Sequence, residues 1–486
     1  MLLSDLLAGI DYSCDNFTDI NIEDVTYNSI NAGEGKCFVC LVGTRVDGHK
    51  YARSAYDKGC RCIFAEYRLD LPEDCIQIIT EDTRHTLAML SVNFFSHPCD
   101  SLRIVGITGT KGKTTTAHIV RALIEASGEM CGIIGTVGAA FGDTVLETAN
   151  TTPESYELQK LFRRMVDSGC KYCVIEASSL GLKMHRTDGI SFETGVFTNL
   201  SPDHIGTIEH PTFEDYMNSK KLLFKSCKNA VVNTDDPAYK DMLEGSDAAV
   251  TTFGLSNADI TAENVELLRS KDILGISFDC NEAGRKYHIE APVPGYFNVY
   301  NILAAVGVCE TLGIKACEHT DALRKFSVAG RTELVHVSDD FDVIIDFAHN
   351  GLSMHSLLST LKAYPHNRII ALYGAIGEKN QIRRRELGLV VGKEADLSIL
   401  TTEDPGKEDP MKIAEDIAGY IRQAGGKYIM IRDRKEAIRY ALSHMQKGDI
   451  LVLAGKGNEN FMNLENGKVP YSEQEEVQKY IDSISK

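Results

Sequence analysis

A glycine-, threonine- and lysine-rich run at positions 106–116, G-I-T-G-T-K-G-K-T-T-T, has the residue types needed to hold phosphate groups. Glycines let backbone N–H groups close around phosphate oxygens, and a helix N-terminus adds partial positive charge. Lys113 can reach the β- and γ-phosphates of a nucleotide, and the Thr114 hydroxyl can bind Mg²⁺. Because Ile107 replaces the first glycine of the strict pattern, a turn without a ligand is the alternative. The run indicates a nucleotide but not a reaction.

Other polar residues lie where α/β proteins bind ligands. Glu176 ends an apolar run at 172–176, and Asp346 follows another at 343–345. Ligands of parallel sheets bind beyond the carboxyl ends of the strands, so a functional role is favoured over simple strand termination. Taken alone, His204 fits an ordinary loop histidine, and Lys220, next to Lys221, fits a solvated helical lysine.

The elements that must position these residues follow from hydrophobic periodicity. Apolar runs alternate with helical patterns, which predicts an α/β protein with mostly parallel sheets covered on both faces. Asp409 followed by Pro410 predicts a helix start, with Ile413, Ile417 and Ile421 on one stripe. We predict strands at 103–107, 172–176, 195–198, 230–232, 343–347, 369–373, 397–400, 428–431 and 450–454.

Three domains are predicted from these patterns and from a length of 486 residues. Residues 1–100 form a small α/β domain, residues 101–331 a central parallel-sheet domain with the phosphate run, and residues 332–486 a doubly wound, Rossmann-like domain.

Composition excludes several classes of protein. With 43% hydrophobic and 25% charged residues the chain is ordinary globular protein, and its net charge of −18 disfavours nucleic acid as a partner. No apolar run reaches the roughly 20 residues of a membrane span, and the N-terminus does not resemble a signal peptide. The 14 cysteines, including the pairs Cys37/Cys40 and Cys170/Cys173, lack zinc-site spacing. Buried free thiols, and hence a cytoplasmic protein, are expected.

Further motifs in the same order along the chain resemble those of the Mur ligases. The segment G-T-K-G-K-T at 109–114 is similar to their phosphate loop and to that of folylpolyglutamate synthetases. The others are N-T-T-P at 150–153, E-A-S-S at 176–179, H-R at 185–186, T-N-L-S-P-D-H at 198–204, Y-M-N-S-K-K-L-L-F at 216–224, F-N-V-Y-N at 297–301, G-R at 330–331, D-F-A-H at 346–349 and G-K-G-N-E at 455–459.

The resemblance implies an ATP-dependent carboxylate–amine ligase, and most closely the type that adds the third amino acid to UDP-N-acetylmuramoyl-L-alanyl-D-glutamate in peptidoglycan synthesis. Its partners would be that sugar-linked dipeptide and a free amino acid, and we expect a monomer. ATP and amino acid would be brought together by domain closure.

The resemblance also implies site residues. Catalysis would involve Lys113, Glu176, His204 and Lys220, with two Mg²⁺ ions held by Thr114, Glu176, His204 and Lys220, the last as a CO₂-derived carbamate. The remaining residues implied for ATP are Gly109, Thr110, Lys111, Gly112, Thr115, Asn298, Asn301, Arg331 and Asp346. Those implied for the UDP-sugar peptide are Ser29, Asn150, Thr151, Thr152, Ser178 and Arg186, and those for the amino acid are Asp404, Gly406, Gly455 and Glu459.

The segment implied to bind the added amino acid differs from the motif of the ligases that this chain resembles. Ligases specific for meso-diaminopimelate carry Asp-Asn-Pro-Arg, whose arginine holds the distal carboxylate. Here the matching residues are E-D-P-G at 403–406, and glycine cannot replace a bidentate cation. The sequence therefore favours an acceptor without a second carboxylate, L-lysine first, with ornithine or another amino acid also open.

Three alternatives remain at this level. A folylpolyglutamate synthetase shares the loop and fold but acts on folate, and the N-terminal domain and the Thr-Thr-Pro segment speak against it. A non-catalytic ATP-binding scaffold would bind nucleotide without turnover. A phosphate-loop motor is disfavoured because the strict loop and an Asp-ending Walker-B strand are absent from the sequence.

Overall fold

The computed structural model describes residues 1–43, 46–203, 205–206, 209–270, 273–326, 328, 330–378 and 381–484. The chain divides into two compact units. The first unit comprises Met1–Thr261, Asn281–Arg285 and Tyr300–His319, and the second comprises Ala262–Cys280, Lys286–Val299 and Thr320–Lys486. Both are mixed α/β, which confirms the predicted class. The proposed boundaries at residues 100 and 331 stay predictions.

The first unit begins with a small parallel sheet in the order β1-β2-β3-β4. Its strands are short apolar runs, and one face packs against Leu3, Leu6, Leu87 and Leu90. Asp82 begins the last helix of this part, since its side chain accepts from the N–H groups of Arg84 and His85. The elements are α1 (Leu3–Leu6), β1 (Asp24–Thr26), β2 (Lys36–Val39), α2 (Ala52–Asp57), β3 (Cys62–Ala65), β4 (Ile76–Ile79) and α3 (Thr83–Phe94), with 3₁₀ helices at Ser29–Asn31, Gly48–Tyr51 and Pro98–Ser101.

The first unit also contains most of a larger sheet, and the strands of that sheet up to residue 254 have the order β12-β11-β10-β5-β9-β6-β7-β8. Its central strands are parallel, and β5 and β9 are aligned so that Ile107 pairs with Glu176. The phosphate run therefore begins beside the carboxylate predicted to work with it. The elements are β5 (Arg103–Thr108), α4 (Lys113–Ala126), β6 (Cys131–Gly135), β7 (Gly138–Phe141), β8 (Thr144–Leu146), α5 (Ser155–Asp167), β9 (Tyr172–Glu176), α6 (Ser179–Lys183), β10 (Phe192–Phe197), α7 (Phe213–Lys225), β11 (Cys227–Asn233), α8 (Tyr239–Met242) and β12 (Ala249–Gly254).

In the second unit a sheet in the order β16-β17-β21-β18-β19-β20 carries helices on both faces, as predicted for a doubly wound domain. Asp409 caps its helix through the Met411 N–H, which confirms that predicted start. From residue 260 onward the elements are β13 (Ile260–Arg269), β14 (Leu274–Glu282), β15 (Arg285–Ala291), α9 (Phe297–Leu312), a 3₁₀ helix (Ala316–Glu318), α10 (Thr320–Arg324), β16 (Glu333–Val335), β17 (Asp342–Asp346), α11 (Gly351–Lys362), β18 (Ile369–Tyr373), α12 (Gln381–Glu394), β19 (Leu397–Leu400), α13 (Pro410–Gln423), β20 (Tyr428–Met430), α14 (Arg434–Ser443), β21 (Ile450–Ala454), β22 (Phe461–Leu464), β23 (Gly467–Pro470) and α15 (Glu473–Ile484).

The predicted strands at 172–176, 369–373, 397–400 and 450–454 are confirmed to the residue, and the others differ at their ends. The strand predicted at 195–198 begins earlier, at Phe192, and the one predicted at 343–347 ends at Asp346. The cysteines of both C-x-x-C pairs are free and buried, as expected. Within the described residues, no helix combines the length and the apolar character needed to cross a membrane.

Candidate functional site

The phosphate loop, residues 106–116, joins β5 to α4 in the first unit. Gly112 has a φ of 86°, and a Cβ placed there would lie 2.3 Å from Asn301 Oδ1. The same oxygen accepts a hydrogen bond from Thr116 Oγ1 at 3.2 Å. Only glycine fits at this point of the loop, because a side chain would meet both backbone strain and Asn301. Asn301, a predicted ATP contact, is thus placed beside the loop.

Two lysines, the buried Lys220 and the partly exposed Lys113, converge on the same backbone oxygen of the loop. Lys113 Nζ donates to Gly109 O at 2.8 Å and to Thr110 O at 3.1 Å, and Lys220 Nζ donates to Gly109 O at 2.9 Å. Burial lowers the pKa of Lys113, against the opposing charges of Glu176 and Asp203. Burial, and then the neighbouring Lys113 charge, hold the pKa of Lys220 well below its usual range. An anion bound here would relieve the cost of burying both amines.

Glu176 gathers hydroxyl groups around its carboxylate at the end of β9. Thr114 Oγ1 donates to its Oε2 at 3.0 Å, Thr136 Oγ1 to the same oxygen at 3.1 Å, and the Thr136 N–H to Oε1 at 2.9 Å. Carboxylate and hydroxyl oxygens are the donors that Mg²⁺ prefers, so Thr114 and Glu176 fit the cation predicted for them. Sequence reasoning missed Thr136, which follows β6 without a motif of its own.

Three residues predicted to bind the peptide substrate are tied to the same strand end. Thr152 Oγ1 donates to Glu176 O at 2.7 Å and accepts from the Ser178 N–H at 3.0 Å. Arg186 donates from Nη1 to Thr152 O at 2.9 Å and pairs through Nη2 with Glu154 at 2.7 Å. Arg186 Nε is buried and, among the described residues, has no hydrogen-bond acceptor. That nitrogen is a ready donor for an anionic ligand.

Two of the three remaining substrate candidates line cavities of the first unit. Ser29 lines a cavity of about 470 Å³ together with Arg84 and Glu154. Asn150 lines a neighbouring cavity of about 350 Å³, which also includes Glu154. Thr151 Oγ1 lies 3.2 Å from Thr136 Oγ1, near the Glu176 carboxylate. Ser29 and Asn150 therefore line different cavities that share one wall.

A buried hydrogen-bonded chain that the sequence did not indicate connects α6 to α7. His210, fully buried, places Nε2 2.9 Å from Ser179 Oγ and Nδ1 2.7 Å from Asp215 Oδ2. Lys183 pairs with the same Asp215 oxygen at 2.7 Å. The Ser-Ser of the 176–179 motif and the first turn of the Lys220 helix are thereby joined. Asp215 is five residues from His210, but Ser179 is 31 residues away, so the connection between the two helices gives no local signal in the sequence.

In the second unit, Asp346 ends β17 with its carboxylate engaged by backbone. Its Oδ2 accepts from the Thr332 N–H and its Oδ1 from the Ala348 N–H, both at 2.7 Å. Burial raises the pKa of Asp346, against these hydrogen bonds and the Arg331 charge. Arg331 stacks its guanidinium over the Phe347 ring, 5.0 Å from the centroid. These contacts hold the backbone at 331–332 against the end of β17 at 346–348.

A carboxylate-rich cluster, Glu403, Asp404, Lys456 and Glu459, lies at the carboxyl ends of β19 and β21. The buried Lys456 ammonium pairs with Asp404 at 3.0 Å and with Glu459. Burial raises the pKa of Glu403 to about 7, against the charges of Arg434 and Lys456. A Cβ on Gly455 would lie 2.5 Å from Glu403 Oε2. Three of the four predicted amino-acid contacts, Asp404, Gly455 and Glu459, therefore come together, and sequence reasoning had given Lys456 no role.

Gly406, the fourth predicted contact, lines a cavity of about 770 Å³ in the second unit. Its φ is 57°, and a Cβ there would lie 2.8 Å from Glu378 Oε2. The cavity wall also includes Arg432 and Arg434. The backbone conformation and the nearby Glu378 side chain therefore favour glycine at position 406, where the sequence differs from the family motif.

The remaining predicted residues are placed as follows. The Lys111 N–H donates to Asn199 Oδ1 at 2.9 Å, and Thr115 lies in the first turn of α4. Asn298 Nδ2 donates to Pro294 O at 2.8 Å at the start of its helix. His204 lies outside the described residues, and its predicted role stays a prediction.

Comparison with known proteins places this arrangement in a family. The Mur ligase middle domain matches residues 107–309, and the Mur ligase glutamate ligase domain matches residues 330–457. A relative from Clostridium botulinum, UDP-N-acetylmuramoyl-L-alanyl-D-glutamate–2,6-diaminopimelate ligase, is 37% identical over all of both chains. A solved structure of a ligase of that name has a TM-score of 0.70 at 27% identity and covers 96% of each chain. A folylpolyglutamate synthase from Mycobacterium tuberculosis, 16% identical with a TM-score of 0.61, covers 77% of this chain and 92% of its own, and shares the fold.

The fold and the phosphate site define an ATP- and Mg²⁺-dependent ligase that forms an amide bond. The chain belongs to the Mur ligase family, and within it to the MurE type.

Proposed function

We propose that this ligase adds L-lysine, as the third residue, to UDP-N-acetylmuramoyl-L-alanyl-D-glutamate. The sugar-linked dipeptide is named as substrate of the 37% identical relative, which matches over the full length of both chains. The arrangement of Lys113, Thr114 and Glu176 around one loop carries the proposal that ATP activates the substrate.

The reaction follows from the charges that must meet. A carboxylate oxygen of the dipeptide attacks the γ-phosphorus of ATP, the bond to the bridging oxygen of ADP breaks, and an acyl phosphate forms. The acceptor amine then attacks the acyl carbon, loses a proton, and phosphate leaves. Both steps concentrate negative charge, which Lys113 and the loop N–H groups stabilise. Thr114 and Glu176 would hold one Mg²⁺, and His204 is proposed for a second; these cations would supply further positive charge.

Lys220 is proposed to carry a carbamate. Its lowered pKa leaves more of the amine neutral near pH 7, and a neutral amine can attack CO₂, lose a proton and become an anion. Formation of the carbamate would replace a buried ammonium, which burial and the Lys113 charge disfavour, by an anionic group beside Lys113. With ¹³CO₂, the wild type should show a carbamate carbon signal in NMR, and Lys220→Arg should show none and lose activity. A signal unchanged in Lys220→Arg would contradict the assignment.

The dipeptide substrate is assigned to the first unit. Arg186 carries this part of the proposal, because its buried Nε offers a donor for a carboxylate or phosphate. Ser29 would contact the substrate from its own cavity, and Asn150 from the adjoining one. Thr151, Thr152 and Ser178 complete the proposed set. Asn298, Arg331 and Asp346 are kept as proposed ATP contacts on the family resemblance.

Gly406 carries the proposal of L-lysine as acceptor. An arginine at this position would be needed to hold a distal carboxylate, and the left-handed backbone here disfavours any side chain. In the neighbouring cluster two carboxylates, those of Asp404 and Glu459, pair with the single ammonium of Lys456. A distal ammonium is better matched to that surplus than a second carboxylate.

meso-Diaminopimelate is the competing acceptor, and the name of the 37% identical relative favours it. Its distal carboxylate would need another cation, and Arg432 lines the same cavity as Gly406. That guanidinium is paired with Asp409 at 2.7 Å and its side chain is 60% exposed. To bind the distal carboxylate of meso-diaminopimelate, Arg432 would have to break its ion pair with Asp409.

The test is a panel of amino acids with purified protein, ATP, Mg²⁺ and the UDP-sugar dipeptide, with the product identified by mass. We expect a tripeptide product with L-lysine, at a higher kcat/KM than with meso-diaminopimelate. Arg432→Ala should leave the lysine reaction unchanged. A preference for diaminopimelate that is lost in Arg432→Ala would overturn the acceptor proposal and leave the ligase reaction intact. ATP consumption independent of both the dipeptide and an amino acid would overturn the reaction itself.

A further inference from the structure

Two histidines of the first unit, distant in sequence, converge on one carboxylate oxygen. His85 Nδ1 lies 2.7 Å from Asp188 Oδ2, and His185 Nδ1 lies 2.8 Å from the same oxygen. One ligand atom from each of the three residues lies within 4.8 Å of the others. From this geometry, we propose that His85, His185 and Asp188 bind a transition-metal cation of the Zn²⁺ type.

The donor set determines the kind of cation. Two imidazole nitrogens and one carboxylate oxygen suit Zn²⁺, Co²⁺, Ni²⁺ or Cu²⁺, whereas Mg²⁺ prefers oxygen donors throughout. Tetrahedral Zn²⁺ with bonds of about 2.0–2.1 Å holds its ligand atoms roughly 3.3 Å apart. The two histidines would therefore separate from Asp188 by about half an ångström. The His85 side chain is 54% exposed and is free to make that adjustment.

A second carboxylate is placed as an outer partner of one ligand. Asp82 Oδ2 lies 3.5 Å from His185 Nε2, on the opposite side of the ring from Asp188. Metal-bound histidines regularly donate their other N–H to such a carboxylate, which fixes the ring and the tautomer. Asp82 is itself fixed, because it caps α3 through the N–H groups of Arg84 and His85. The arrangement therefore leaves His185 Nδ1 directed at the proposed cation.

The backbone of His185 is held in an unfavourable conformation. Its φ is 57°, in the left-handed region that side chains other than Gly, Asn and Asp seldom adopt. Such strain persists where surrounding contacts fix it, and it is frequent at ligand sites. Here the contacts are the ones to Asp188 and Asp82.

The proposed site fastens two parts of the first unit together. His85 belongs to α3 of the small N-terminal sheet, whereas His185 and Asp188 follow α6 of the larger sheet. Their sequence neighbours, Arg84 and Arg186, both pair with Glu154, at 3.3 Å and 2.7 Å. A cation between the histidines would thus restrain the arginines on either side of Glu154. Any effect on dipeptide binding rests on the proposed function, but the metal site itself does not.

The test is titration of the full-length protein with Zn²⁺, by calorimetry in excess Mg²⁺ and without substrate, together with the visible spectrum of bound Co²⁺. We expect one Zn²⁺ bound in the micromolar range, and at least a tenfold loss of affinity in His85→Gln and in Asp188→Asn. His288→Gln is the matched control, since His288 is a half-exposed histidine that contacts the carboxylate of Asp279 at 2.8 Å.

His288→Gln should bind Zn²⁺ like the wild type, and the intense Co²⁺ bands of a four-coordinate site should disappear only in the two site variants. Equal affinity in the wild type and His85→Gln would overturn the proposal, as would an equal loss in His288→Gln. Because no substrate is present, failure of the ligase proposal would leave these results unchanged.

Discussion

Burial moves the pKa values of two site residues in opposite directions, and each shift has its own consequence. For Lys220 it disfavours the cation, and for Glu403 it disfavours the anion. Both residues face further charges of their own sign, Lys113 for the lysine and Asp404 for the glutamate. Burying such groups in their charged form destabilises the folded protein. Binding of a ligand of opposite charge, or a proton transfer that neutralises the group, reduces this cost.

Glu403→Gln should change how stability depends on pH. The folded-state pKa of about 7 lies above the ordinary 4.5, so the folded protein holds a proton that the unfolded chain releases between these values. The wild type therefore loses stability as pH rises from about 4.5 through 7, by an amount on the order of 3 kcal/mol. Glutamine does not titrate. The Tm of Glu403→Gln minus the Tm of the wild type should therefore be larger at pH 8 than at pH 5.

Glu408 should affect the pH dependence of stability in the opposite direction, so Glu408→Gln serves as the comparison. Its pKa is lowered to about 2, first by the hydrogen bond from Arg384, so its stabilising effect is present above about 4.5 and is lost as pH falls towards 2. Glu408→Gln should therefore be less stable than the wild type at pH 7 and approach it at pH 2–3. A constant Tm difference between Glu403→Gln and the wild type from pH 5 to 8 would show that Glu403 ionises normally.

Residue types at the phosphate loop could be predicted from sequence because the chemistry needs them in one short segment. Lys113 and Thr114 follow directly from the loop, and Glu176 from its place at a strand end. Thr136 could not be predicted, since it meets Glu176 only because β6 and β9 are neighbours in the sheet. Lys456 was visible in its motif, but its pairing with Asp404, 52 residues away, depends on the fold.

At the scale of elements, Gly112 at the start of α4 offers a test of how the loop is built. Gly112→Ala would place a Cβ 2.3 Å from Asn301 Oδ1 in addition to the cost of a positive φ. We expect the loop to shift and the Kd for ADP to rise at least tenfold. Gly128, at the other end of α4, has a φ of 91° with no atom within 4 Å of its Cβ position.

Gly128→Ala is therefore the control for backbone strain alone. It should cost about 1 kcal/mol of stability and leave ADP affinity unchanged. Calorimetric titration with ADP compares the two variants. Equal affinity in both variants would mean that the contact with Asn301 does not shape the loop.

The buried chain Ser179–His210–Asp215 should matter for catalysis, because it joins α6, which follows Glu176, to the helix of Lys220. His210→Asn is expected to lower kcat at least tenfold, with a much smaller change in the KM for the amino acid. Thr86→Val, in α3, removes a buried hydrogen bond of 2.9 Å to Thr80 and provides a control for stability alone. If both variants lose Tm and kcat in parallel, His210 has a purely structural role.

Elements with continuous apolar runs were predictable, and those with mixed patterns were not. The strands at 369–373 and 450–454 are buried throughout and were placed correctly from composition. β13, with the sequence I-T-A-E-N-V-E-L-L-R, alternates irregularly between buried and exposed residues and was missed. Its strand conformation depends on pairing with neighbouring strands, beginning with Phe253 and Ile260, which a local pattern does not contain.

For the whole molecule, length and composition indicated several domains, and each of the two units contains its own hydrophobic cores. The chain passes between the units at five points, and the three-domain division predicted from the sequence stays a prediction. Contacts between residues far apart in sequence define the units, and these cannot be read from apolar runs or turn signals.

Two thermal transitions are expected in calorimetry, because each unit has separate cores. ADP with Mg²⁺ should raise the midpoint temperature of the first unit's transition, because this unit contains the phosphate loop.

Arg434, 2% exposed, lies in the second unit, where it pairs with Glu473 at 2.8 Å and donates to Ala454 O at 2.8 Å. Arg434→Met leaves Glu473 as a buried, unpaired charge and should cost about 3–5 kcal/mol. The transition that ADP does not shift should therefore fall by roughly 10 °C.

The adjacent Lys435 is the matched control for that experiment. It is paired with Glu476 at 3.5 Å, but its side chain is 46% exposed, so Lys435→Met should change Tm by a degree or two at most. The ADP-sensitive transition should stay in place in both variants, since neither residue belongs to the first unit. A single transition that falls as a whole in Arg434→Met would mean that the two units unfold as one cooperative body, and that the separate cores do not act independently.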